Sequence, residues 1–89
     1  MNAEEYKAMF MCEPVPPSER VMVLACAILR YYVTTEHMSN RAALSEQRKL
    51  TEYIKLTGFS PTEEREARLI ARQMDYNQDY SLLSAPPDN

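Results

Sequence analysis

One histidine, two cysteines and a single glycine bound the chemistry open to this 89-residue chain. His37 is the one side chain whose ordinary pKa suits a general base near neutral pH. A serine nucleophile would need it together with a third, orienting group, and no spacing in the chain supplies that pair. Near the end of a helix, His37 reads more simply as a cap or structural residue. A zinc site would have to gather Cys12, Cys26, His37 and a carboxylate from separate segments, without the paired ligand spacing of structural zinc sites. The motifs HExxH, CxxC and GxGxxG do not occur, and with Gly58 the only glycine no loop can cradle a phosphate. The expectation is a chain that is not an enzyme and holds no cofactor or metal.

The tyrosines offer a different chemistry. Tyr6, Tyr31, Tyr32, Tyr53, Tyr76 and Tyr80 stand beside six methionines and no tryptophan. Tyr, Met and Arg are enriched at the centres of protein interfaces. The same rings, with Lys7, Arg20 or Arg30 nearby, could instead stack and clamp a nucleotide. Net charge is −3, whereas nucleic-acid-binding domains carry the basic excess that phosphate neutralisation needs. Nucleic acid is therefore not an expected partner.

Which elements position these residues follows from glycine and proline. Sheets and hairpins need glycine at turns of positive φ, so one glycine argues for an all-α fold. The six prolines fall at 14, 16, 17, 61, 86 and 87 and punctuate segments of helical spacing. A short helix over residues 2–11 is expected, capped by Asn2, with Tyr6 and Phe10 four apart. A stiff Pro-rich connector over 13–17 follows. Ser18 then caps a long helix running to about His37 or Met38.

That long helix carries nine consecutive apolar residues, from Val21 through Leu29. The run is too short for the roughly 20 residues a membrane span needs, and Arg30 ends it. One face holds Val21, Leu24, Ala25, Ile28, Tyr31 and Tyr32; a second holds Met22, Cys26, Leu29 and Val33. A helix apolar nearly all round needs protein on every side. The expectation is that Met22, Cys26, Leu29 and Val33 form the interface of a homodimer or higher oligomer.

The next helix, residues 41–57, starts at Ser39 or Asn40 and buries Ala43, Leu50, Tyr53 and Ile54, with Leu44 and Leu56 flanking. Ser45, Arg48, Lys49 and Glu52 form its wet face, where Glu52 could pair with Lys49 or Arg48. Gly58 ends it in a Schellman motif. Ser60-Pro61-Thr62-Glu63 is a capping box with Pro at the first helical position, opening a helix to about Met74. That helix turns Ala67, Ile70, Ala71 and Met74 inward, and Glu64 can pair with Arg68. Read as a helix-turn-helix, its first turn would face phosphates with Glu63, Glu64 and Glu66.

The fold expected is thus a small bundle of three main helices plus a short N-terminal helix, completed by oligomerisation. Residues 1–75 form the helical domain and 76–89 an acidic, aromatic tail. Tyr76, Tyr80, Leu82 and Leu83, with Tyr31, are the candidate contacts for a protein partner, the tail either packing back or docking by folding on contact. The function expected is non-enzymatic: a small cytoplasmic helical oligomer that binds and sequesters or inhibits another protein. Size and style alone liken it to small phage antirepressors and anti-defence regulators. The alternatives are a nucleotide-binding sponge and a DNA-binding regulator of the helix-turn-helix type.

Overall fold

A computed structural model describes residues 17–84. The expected N-terminal helix, Cys12, most of the connector and residues 85–89 lie outside the described residues. Four helices follow in order: α1 (Glu19–Thr35), α2 (Asn40–Thr57), α3 (Pro61–Tyr76) and the short α4 (Ser81–Ser84). No strand occurs among the described residues. The all-α expectation of three main helices holds.

Each long helix begins on a serine. Ser18, Ser39 and Ser60 all hold extended backbone, ψ near 159°, 158° and 159°, and each hydroxyl accepts a backbone N–H three residues on. Those bonds satisfy donors that the first turn cannot pair internally. Ser60 and Glu63 form the full reciprocal box, with Pro61 at the first helical position.

The helix ends differ more from expectation. α1 stops at Thr35, two or three residues early. Val33, Thr34 and Thr35 are all β-branched, and the Thr35 hydroxyl bonds the Tyr31 carbonyl at 2.7 Å, an alternative to continuing the ladder. α2 ends as expected, with Gly58 at φ +74°. The Phe59 N–H reaches Ile54 O at 3.4 Å and the Gly58 N–H reaches Lys55 O at 3.3 Å, the two bonds of a Schellman motif. α3 ends the same way without glycine. Gln78 holds φ +55°, the Asp79 N–H bonds Met74 O at 2.8 Å, and the Gln78 N–H bonds Asp75 O at 3.0 Å.

The core lies mainly on α1. Val21, Leu24, Ala25, Ile28 and Leu29 are buried there, joined by Ala67 and Ala71 of α3. Both fully buried residues of α3 are alanines, so the bulk at the α1–α3 packing comes from α1. α2 has no fully buried residue; Leu50, Tyr53 and Ile54 lean half-buried on the core, as do Ile70 and Met74 of α3. Leu44 and Leu56, expected to flank the buried side of α2, stand exposed. α1 is the shared element: α3, α2 and α4 each pack on it.

Candidate functional site

The strongest polar cluster lies where the α2–α3 corner meets the start of α1. The Arg20 Nε donates to Glu63 Oε2 at 2.9 Å, and its Nη2 donates to the Gly58 carbonyl at 3.2 Å. The guanidinium lies over the Phe59 ring, 4.7 Å from its centroid, and Phe59 meets Tyr53 edge-on at 5.8 Å. Glu63 also accepts the Ser60 N–H at 2.9 Å. The Arg20 hydrogen bond, followed by the Ser60 N–H, holds the Glu63 carboxyl well below its usual range, at about 2; the same bond raises the Arg20 guanidinium. Every polar group in this cluster is engaged with another, so it acts as a latch across 43 residues of sequence. Arg20, a candidate for clamping a nucleotide, is committed to that latch.

His37 lies beyond the end of α1, exposed, with Nε2 4.0 Å from the Glu36 carboxylate. Cys26 is half-buried on α1, its sulfur 4.0 Å from an Arg30 guanidinium nitrogen. No group of three His, Cys, Asp or Glu among the described residues could hold a metal ion. Among the described residues no serine or cysteine is hydrogen-bonded to His37.

The residues singled out for binding separate into core and surface. Leu29 is 0% exposed and belongs to this chain's own core. It is therefore not part of an open oligomer face, because α1 turns it toward its own domain with Ala25. Met22 and Cys26 are half-buried, and Val33 is exposed. Met22, Cys26 and Val33 leave an apolar strip along one side of α1, while Val23, 48% exposed, stands apart from it in the corner with Tyr53, Thr57 and Phe59.

The tail divides as well. Tyr80, Leu82 and Leu83 pack against the core, the Tyr80 hydroxyl donating to Asp75 Oδ1 at 3.1 Å. Asp79 starts α4 by accepting both the N–H and the hydroxyl of Ser81, at 3.1 and 2.7 Å, which lowers its carboxyl. Residues 77–84 thus return to α1, and these three side chains are not free contacts for a partner. Tyr76 points outward, 84% exposed. Tyr31 is half-buried and lines an open groove of about 430 Å³ between α1 and α2, with Arg30, Lys49, Leu50 and Tyr53.

The ion pairs on the helix surfaces are local. Arg68 meets Glu64 at 2.9 Å, as their spacing implies. Lys49 pairs with Glu46 at 3.2 Å, and Glu52 takes no part. At the start of α3, Glu63 is paired with Arg20 and Glu64 with Arg68, which leaves Glu66 as the exposed acid of the three.

On the outward side of α3 only Tyr76 was singled out from sequence, as part of the tail. Leu69 is 59% exposed and Tyr76 lies seven residues on, two helical turns along the same side. Arg72 and Gln73 fall between them, and the four line a shallow depression of about 330 Å³. The signal was present as an apolar pair at heptad spacing. It was masked because the stronger inward row of Ala67, Ile70, Ala71 and Met74 accounts for the helix. No known protein family, curated protein or solved structure matches this chain.

Proposed function

We propose that this chain is a non-enzymatic protein-binding module: a small cytoplasmic helical protein that self-associates and sequesters or inhibits another protein. One observation carries the reading. All three long helices leave apolar side chains exposed: Val23 and Val33 on α1, Leu44 and Leu56 on α2, Leu69 and Tyr76 on α3. Apolar surface spread over three helices is more than one partner covers, and suits a copy of itself together with a second protein. Exposed apolar patches rimmed by polar residues mark interaction sites. At the Arg20–Glu63 latch the polar side chains are bound to each other. The kinship in style to antirepressors and anti-defence inhibitors fits a small binder of this kind.

Light scattering at micromolar concentration tests the self-association. A mass of at least twice 10.3 kDa is expected for the wild type, with Val23→Glu/Val33→Glu returning the monomer. Affinity capture from the source cell, followed by mass spectrometry, should recover one specific protein. A monomeric wild type that recovers nothing would overturn the reading.

A second reading rests on the α1–α2 groove, where Tyr31 and Tyr53 stand with Arg30 and Lys49. Two rings and two cations suit a small aromatic anion such as a nucleotide. A nucleotide panel that raises the melting temperature in a concentration-dependent way supports that reading; a flat response removes it.

A further inference from the structure

We propose that the outward side of α3 docks an amphipathic helix of a partner protein whose apolar ridge is bordered by acidic residues. The inference rests on the protein-binding reading above and names the partner's chemistry.

Arg65, Leu69, Arg72 and Tyr76 are spaced four, three and four residues apart along α3. This is the spacing of a coiled-coil seam, in which a second helix lies along the first. At 1.5 Å per residue the stripe is about 17 Å long, three helical turns. Leu69 and Tyr76, largely in solvent, are its apolar positions and alternate with Arg65 and Arg72. One border is basic: Arg65, Arg68 and Arg72 fall three and four apart. Arg68 is tied to Glu64, whereas Arg65 and Arg72 form no ion pair among the described residues. Glu66 and Gln73 form the opposite border.

In a chain of net charge −3, an apolar ridge edged by two unpaired arginines selects a partner of the opposite sign. Arg and Tyr are also the residue types that dominate binding energy when buried at an interface. A guanidinium at the rim of a docked helix can meet a carboxylate with two parallel hydrogen bonds. A second copy is the poorer occupant. Pairing the stripe with itself sets arginine against arginine when the helices run parallel, and Arg65 and Arg72 against Tyr76 and Leu69 when they run antiparallel; in neither does the seam supply an acid to meet the guanidinium groups. The shape speaks against a small ligand: the depression at Leu69 and Tyr76 is shallow and open, and a convex helix surface is best covered by another helix.

The test uses a displayed library of helical peptides about 16 residues long, selected on the full chain and counter-selected on Leu69→Ser/Tyr76→Ser. Both positions are exposed, so the variant should melt with the wild type. Selected peptides should carry apolar residues at i, i+4 and i+7 bordered by Asp or Glu. Their affinity should fall at least about tenfold on Arg65→Gln/Arg72→Gln, the size expected for losing two rim ion pairs desolvated on docking, and should weaken with added salt. Peptides that bind the Ser variant equally, show no acidic bias or fail to be enriched at all would overturn the assignment. So would a wild-type mass that halves on Leu69→Ser/Tyr76→Ser, since the stripe would then be the contact between copies. If the peptides fail while the chain still self-associates and captures a protein, this surface is wrong and the wider reading stands. If self-association and capture also fail with the stripe intact, the wider reading falls with it.

Discussion

Gly58 and Gln78 both hold left-handed backbone, at φ +74° and +55°, yet only one is the residue suited to it. A side chain with a Cβ in this region costs about 1–2 kcal/mol. A Cβ at Gly58 would meet no atom within 4 Å, so Gly58→Val should lose that conformational amount and nothing to clash. Gln78→Gly should do the reverse, gaining about 1 kcal/mol as the same strain is released. Thermal melts of the two variants check both signs. If Gln78→Gly melts no higher than the wild type, the strain at that cap is not real. Glu63 makes a prediction in pH. Its carboxyl is lowered from 4.5 to about 2, chiefly by the Arg20 hydrogen bond. The native state therefore holds the proton less tightly than the unfolded chain, and the stabilisation is complete above pH 4.5. It is lost as pH falls toward 2. Between those values the wild type should lose melting temperature more steeply than Glu63→Gln, which keeps the cap but not the charge; parallel curves would show that the latch contributes nothing through its charge.

The caps and turns of the long helices are written in adjacent residues, which is why they could be read directly. Ser18 and the Ser60–Glu63 box are decided within four positions, and so is the Gly58 stop. The return of residues 77–84 to α1 was harder to see, because Gln78 closes a Schellman turn that glycine usually marks. The Arg20–Glu63 latch could not be seen at all, since nothing local joins positions 43 apart. Leu29 shows the same limit: periodicity set it beside Met22 and Cys26, and only the seat of α3 decides which side of α1 is covered. That seat is narrow. α3 presents Ala67 and Ala71 to the core, both 0% exposed, and their Cβ atoms are all it contributes there in full burial. Ala71→Leu should overfill the packing and lose about 1–3 kcal/mol, with Ala71→Ser milder. A Leu variant as stable as the wild type would mean that α1 and α3 are not held so close.

Over the whole molecule, stability hangs on one helix. Among the described residues seven apolar side chains are fully buried and five of them are on α1, and a small domain has about 5–15 kcal/mol to lose. Leu29→Glu would place an unpaired carboxylate in that core, a loss of several kcal/mol. Loss of the helical circular dichroism is expected, not a folded monomer; a folded, dissociated protein would return Leu29 to an interface. The opposite condition holds for α2. It buries no residue completely and has its main packing on α1, while α3 and α4 close on α1 from elsewhere. Such a helix can detach while the rest stays folded, so amide exchange should fall into two classes. Amides of α1 and α3 should exchange only through global unfolding. Those of α2 should exchange faster, through an opening that depends weakly on denaturant because it exposes little apolar surface. Equal protection of α2 and the Ile28–Leu29 amides would instead make the molecule a single cooperative unit. With two classes, the chain in solution is a stable α1–α3 pair against which α2 swings, and the space between α1 and α2 opens and shuts with that motion.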